Sequence, residues 1–391
     1  MTLVRLLEKI DRSCYEPIVL FLQDGPGVTL IQALGIKTYI ESGITYFPHG
    51  EGAFIPIRSF QPWLAFLRFF QILTSAQRTF KFIKDHPVDL VHINSIVLLG
   101  SLWGAHLSGV PTILHVREVL ARGVFGFRRM LIRNMIDIFA DRVIAIASHN
   151  AAQLKPSPRI RIIYDTVDFD QFDCNQTDII SNSEFHLKGG SPVVGMLGGI
   201  VPHKGIETFL RAAALIHQQR PAVMFLVAGY SPIPDLPTTI RRWIRHRLED
   251  LLHIPNLNRS ILDYIHSKQL DKSVIFTGPR HDIPNILAKL DVLVFPATVS
   301  HFGLPIIEAG AMEKPVVASD FPSTREIVFP NVTGILIPPK DPDVLAQAIL
   351  QILDNPSLAR AMGEAGFLQA KEKFDSNLNT PAIFAVYDEL I

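Results

Sequence analysis

Two segments carry residue types whose spacing suits work on an anionic ligand. The first is Gly198-Gly199-Ile200-Val201-Pro202-His203-Lys204-Gly205, directly after the apolar run Val193–Leu197. An amphipathic stretch marked by Ile206, Phe209, Leu210 and Ala213 follows it. Glycines after a strand let backbone amides approach an anion, and the start of a helix adds positive potential. A lysine at that end opposes the helix dipole, a penalty that a bound diphosphate would remove. The plain alternative is a solvated lysine in a glycine turn. No Gly-Lys-Ser/Thr follows at the required spacing, so this is not a P-loop. The second segment runs from Ser300 through His301, Phe302, Gly303, Leu304 and Pro305 to Glu308 and Gly310. Pro305 suits the first turn of a helix expected from about Leu304. Gly303 and Leu304 can present free amides to a phosphate. Glu308, one turn further on, can accept two hydrogen bonds from a vicinal diol such as a ribose. Between Ile306-Ile307 and Ala309-Gly310 its carboxylate is not simply solvated, and a structural ion pair is the alternative.

These segments need a scaffold, and the chain alternates short apolar strands with helices. Leu3, Leu6, Leu7 and Ile10 mark an opening helical face, and 17–22, 36–40, 90–93, 112–116 and 142–146 read as strands. A second series reads as strands at 193–197, 224–228, 274–277, 292–295, 316–318 and 334–337, with helices at 343–353 and 358–374. Such alternation implies parallel sheets wound on both faces. Periodicity fades over 177–191, so the expected division is 1–185, 186–374, and a terminal helix over 375–391 returning to the first domain. The fold class is α/β: two Rossmann-like doubly wound domains facing a cleft, the default ligand site. A parallel α/β domain normally opens on a strand and a glycine-rich turn, whereas this chain opens on a helix. The N-terminal domain is therefore expected to lack its first strand.

In order and spacing, the two segments resemble the retaining family 4 glycosyltransferases of the GT-B fold. The resemblance extends through 141–148, 160–168, 276–279, 291–296, 314–320 and 333–338, nearly the whole chain. It implies that Lys204 binds the diphosphate of a nucleotide-sugar donor and that Glu308 holds the ribose. Backbone around Gly198, Gly199, Gly303 and Leu304, beside Phe302, would meet the phosphates, and Gly278–Arg280 would flank the base. His115, in Leu114-His115-Val116-Arg117-Glu118, resembles the family's histidine that touches the transferred sugar; a strand-end histidine bonded to backbone is the alternative. The implied reaction needs no metal or other cofactor. The chain departs from the family pattern in three places. Gly199 stands where an arginine is frequent, Ser300 stands where the first of two glutamates is usual, and the glycine-rich loop after the first strand is missing. A non-catalytic glycosyltransferase-like subunit that binds nucleotide sugar or a partner is the rival reading.

Composition sets the remaining limits. The 391 residues carry 37 basic and 37 acidic side chains, so nothing global favours nucleic acid as a partner. Cys14 and Cys174 cannot build a disulfide framework or a zinc site, which fits a cytoplasmic protein. Asp168-Phe169-Asp170 is formally a metal-binding triplet, but it precedes the linker rather than a catalytic loop. Neutrality is local cancellation: residues 55–160 hold 13 Lys/Arg against 5 Asp/Glu. Within that region 60–84 and 119–136 combine arginines and lysines with aromatic residues. Such segments suit peripheral contact with an anionic membrane, and a solvated face over core aromatics is the alternative. Arg241–Arg247 forms a further basic run that sequence does not assign to acceptor or partner.

Overall fold

A computed structural model describes residues 2–47, 62–120, 122–174, 190–229 and 257–391, with the side chains of 62–68 and of 124 left aside. The linker expected near 185 and the basic run Arg241–Arg247 lie outside these residues. By compactness the chain divides into Met1–Asp168 with Lys373–Ile391, and Phe169–Glu372.

The first unit begins with α1 (Thr2–Glu8), β1 (Ile18–Phe21), α2 (Pro26–Ala33), β2 (Lys37–Ile40) and α3 (Pro62–Asp85). Then come β3 (Val91–Ile93), α4 (Leu99–Ser108), β4 (Thr112–Val116), α5 (Phe127–Phe139), β5 (Arg142–Ala145), α6 (Ser148–Ala151) and β6 (Ile160–Ile162). Strands β3-β4-β5-β6 form one parallel sheet, and β1 pairs β2 in a separate parallel sheet. Among the described residues no strand joins the two, so the single doubly wound sheet expected here comes in two pieces. The four-stranded sheet is covered on both faces. Leu114, Val116 and Val143 face Leu99, Leu102, Ile132 and Ile136 of α4 and α5. On the opposite face Ile113 and Ile144 meet Leu6 together with Ile383, Val386 and Tyr387 near the chain end.

The second unit contains β7 (Val193–Leu197), α7 (Ile206–Gln219), β8 (Met224–Ala228), α8 (Leu257–Ser267), β9 (Val274–Gly278), α9 (Ile283–Ala288) and β10 (Val292–Phe295). It continues with α10 (Leu304–Ala311), β11 (Val316–Ser319), α11 (Pro322–Arg325), β12 (Gly334–Ile337), α12 (Pro342–Leu353) and α13 (Pro356–Lys373). The last helix, α14 (Ser376–Asp388), belongs to the first unit. All six strands are parallel, in the order β12-β11-β10-β7-β8-β9. The first and fourth strands of the unit are thus central neighbours, the doubly wound order whose switch point binds ligands at the strand carboxyl ends. Strands β7 and β8 are buried at every residue, as continuous apolar pentads in a two-sided sheet should be.

Candidate active site

The two switch strands, β7 and β10, deliver the two chemistry-bearing segments to the same end of the sheet. The loops are stitched together: Thr298 N donates to His203 O at 3.0 Å. Gly205 adopts φ 83°, and a Cβ there would lie 1.7 Å from Pro296 O, so only glycine allows this approach. Lys204 then extends to His301, with Nζ 2.8 Å from Nε2 and 5.7 Å from the Phe295 ring centre.

The histidine's tautomer follows from its other contact. His301 Nδ1 lies 3.0 Å from Val299 O, which can only accept, so Nδ1 carries the hydrogen and Nε2 offers its lone pair to Lys204. Burial pushes the Lys204 ammonium down to about 8. Burial and the adjacent Lys204 push His301 down to about 3, so the imidazole is neutral. His203, edge-on to His301 at 5.9 Å, is also lowered by burial and by Lys204. Among the described residues no carboxylate lies within ion-pair reach of Lys204. A desolvated cation on a neutral acceptor is a seat for an anion.

The remaining expected residues divide. Ser300 donates to Ser323 Oγ at 2.9 Å, and Ser323, fully buried on α11, donates to His301 O at 3.0 Å. Ser300 thereby braces the loop that carries His301. Gly303 caps α10, Leu304 is its first residue, and Phe302 and Glu308 are buried at 8% and 7% exposure. The amides of Gly198 and Gly199, expected to face phosphate, both donate instead to Ala228 O, at 2.9 and 3.0 Å. What these glycines supply is backbone freedom, with φ 119° and 67°. Gly229 in turn permits the close approach to this turn, since a Cβ there would sit 2.6 Å from Gly199 N. Gly278, at φ 71°, accepts from Gly229 N at 2.9 Å. Arg280 holds Asp282 through two bonds of 2.7 and 2.6 Å, which lowers the carboxyl's pKa.

His115 lies in the other unit, on β4, at 3% exposure. Its Nδ1 is 3.2 Å from His92 Nε2, and its Nε2 is buried without a hydrogen bond. The expected backbone-bonded alternative is therefore not what is found. Burial and Arg117 hold His115 well below the usual histidine range, so it is neutral. It lines a small pocket with Thr2, Asn94, Arg117, Asp165 and Thr380. His301 and His92 are the participants that sequence reading missed. Among the described residues no group of three His, Cys, Asp or Glu side chains could hold a metal ion, and Asp168-Phe169-Asp170 contributes to none.

A Rossmann-like unit in switch-point order carries a desolvated lysine at its strand carboxyl ends, the place where such sheets bind ligands. Residues 178–369 match the model of Glycosyl transferases group 1, so this part of the chain is similar to that family. The chain is 26% identical over 203 residues to an alpha-D-kanosaminyltransferase of Streptomyces kanamyceticus, covering 51% of this chain and 46% of that protein. The chain thus spans about half the length of that relative. It is also 26% identical over 295 residues to the UDP-Gal:alpha-D-GlcNAc-diphosphoundecaprenol alpha-1,3-galactosyltransferase of Escherichia coli, covering 71% of this chain and 70% of that one. The crystal structure of Anabaena HepE in complex with UDP and glucose superposes with a TM-score of 0.73 at 20% identity, covering 99% of this chain and 95% of that one. That likeness establishes the fold.

Proposed function

We propose that this chain is a glycosyltransferase that takes its sugar from a nucleoside diphosphate donor and passes it, with retention, to a hydroxyl of a glycan or lipid-linked acceptor. The observation that carries the reading is Lys204, a desolvated ammonium at the switch-strand ends without a carboxylate partner among the described residues. As the bond between the anomeric carbon and the diphosphate breaks, charge grows on the departing oxygen, and a preorganised cation lowers that barrier. Glu308 takes the ribose hydroxyls, and the loop of Ser300, Phe302, Gly303 and Leu304 receives the phosphates. Gly198, Gly199, Gly278 and Arg280 shape the neighbouring wall, and His115 meets a hydroxyl of the sugar. In the retaining reaction the acceptor oxygen bonds to the anomeric carbon on the face that the diphosphate leaves. The acceptor's proton passes to a donor phosphate oxygen, so no side-chain base is required. The donor and lipid-diphosphate acceptor named for the E. coli relative support this reading by analogy.

Calorimetry with UDP and with GDP tests the donor site. Binding that weakens in both Lys204→Ala and Glu308→Ala supports it; unchanged affinity in both variants refutes it.

The acceptor reading extends to a cytoplasmic protein peripheral to an anionic membrane. No helix among the described residues is long and apolar enough to cross a bilayer. Phe125 is fully exposed, and Phe127, Met130 and Ile138 of α5 are 63%, 52% and 60% exposed, alongside the exposed Arg122 and the half-buried Arg129 and Arg133. Phe69 and Phe70 of α3 are each 56% exposed. Aromatic groups beside arginines are the composition of an interfacial surface.

A further inference from the structure

A chain of three side chains in the first unit ends on His115. His92 on β3 and His115 on β4 share a sheet face, because His92 stands opposite Ile113 and His115 lies two residues on. The imidazoles stack at 5.3 Å, with His92 Nε2 3.2 Å from His115 Nδ1. On the far side, His92 Nδ1 lies 2.5 Å from the Tyr387 hydroxyl of α14. Tyr387 is 7% exposed and wedged against Tyr15 and Phe384, so its hydroxyl has little freedom.

Only two proton arrangements satisfy both contacts. In one, Tyr387 O–H donates to His92 Nδ1 and His92 Nε2–H donates to His115 Nδ1, leaving His115 Nε2–H as a donor. In the reverse, His115 Nδ1–H donates to His92, and His92 Nδ1–H donates to the phenol. The reverse leaves the phenol hydrogen without an acceptor in a buried site and His115 Nε2 without a donor. The forward arrangement leaves one unmet group, His115 Nε2–H. Burial raises the phenol's pKa and lowers both imidazoles, His92 to about 4, so all three groups are neutral and tautomer is the variable left to set. The charged groups facing the pair are Arg117 and its ion-pair partner Asp165, at 2.5 Å.

We infer that Tyr387 and His92 are positioning residues that lock His115 as the Nε2–H tautomer, so that it donates a hydrogen bond to a hydroxyl oxygen of the bound sugar. The inference rests on the proposed sugar contact of His115. A buried N–H without a partner is expensive, and a ligand acceptor meets that cost on binding. The returning terminal helix thereby acts on a strand-end histidine through a second histidine.

Two-bond proton–nitrogen correlation spectra of the full chain, labelled with nitrogen-15 histidine, read the tautomer directly. The expected result is Nε2–H for both His92 and His115 in the parent, and a mixed His115 population in Tyr387→Phe and His92→Leu. His92→Gln, whose amide can still donate to His115 Nδ1, should restore it. A parent His115 in the Nδ1–H form, or an unchanged tautomer in both Tyr387→Phe and His92→Leu, overturns the inference. Release of UDP from UDP-glucose, or of GDP from GDP-mannose, supplies the second readout. Tyr387→Phe should lower kcat roughly fivefold, the worth of one neutral hydrogen bond, with UDP and GDP affinity unchanged. A His115→Ala chain that keeps full turnover would instead remove the sugar contact while leaving the tautomer result standing, so the two failures are distinct.

Discussion

Raising the pH through the Lys204 titration is the perturbation that most directly probes the proposed donor site. Burial lowers this ammonium from 10.5 to about 8. At 1.36 kcal/mol per unit, holding it charged in the free protein costs at most about 3 kcal/mol. A bound diphosphate supplies the missing counter-charge and raises the pKa again. Between pH 7 and 8 the lysine is already charged and affinity for UDP or GDP should be nearly flat. Above pH 8 the free protein must take up a proton to bind, so affinity should fall by up to tenfold per unit. Calorimetry from pH 7 to 9.5, in buffers of different ionisation enthalpy, reads both the affinity and the proton uptake. Lys204→Met should abolish the pH dependence and weaken binding roughly ten- to a hundredfold, the range for a charge-assisted hydrogen bond. Stability runs the other way. Between pH 8 and 10.5 the unfolded lysine binds a proton that the folded one does not, so this group adds stability as pH rises through that window. Lys204→Met should therefore raise the melting temperature of the free protein at pH 7 while it weakens the nucleotide. Affinity that stays flat to pH 9.5, with no proton uptake, refutes the reasoning.

Three further outcomes are expected. Glu308→Ala should weaken UDP but leave inorganic pyrophosphate unaffected, measured by calorimetry, because the carboxylate serves the ribose; equal losses for both would remove that role. Gly205→Ala should destabilise by roughly 2 kcal/mol or more in urea unfolding, since it combines strain at φ 83° with a clash on Pro296 O. The parent chain should co-sediment with anionic vesicles at low salt and release at high salt, and Phe125→Ser with Phe127→Ser should reduce capture; failure to bind at low salt would discard the membrane contact.

The second unit was the more legible in sequence, for a physical reason. Strands β7, β8 and β10 are buried at every residue, so they read as uninterrupted apolar runs whose ends coincide with those in the structure. Lys204 and Glu308 stood out because a charge amid glycines or amid isoleucine and alanine demands an explanation. His301 did not, because its meaning lies in a contact with Lys204 across 97 residues, and spacing along the chain carries no trace of it. The same holds for His92 and Tyr387, separated by 295 residues. The bonds from the amides of Gly198 and Gly199 to Ala228 O were not legible, because hydrogen-bond accounting needs the partner strand. Glycine marks where backbone approaches closely, and here the approaching group is Ala228 O.

Both candidate centres share a way of holding a donor without neutralising it. Lys204 rests on the lone pair of a histidine whose other nitrogen is fixed by a backbone carbonyl, and His115 rests against a histidine fixed by a phenol. A carboxylate in either position would form a stable pair and compete with the ligand for the same donor. A neutral imidazole orients the group through one hydrogen bond yet leaves the remaining donors of Lys204, and Nε2–H of His115, for an incoming oxygen. Replacing His301 by Glu separates orientation from charge. The glutamate would keep an acceptor near Lys204 and raise the lysine's pKa, yet nucleotide affinity should fall because the diphosphate would then meet a neutralised pair. Nucleotide affinity in His301→Glu equal to the parent would mean that holding Lys204 in place is sufficient and that its open charge is not.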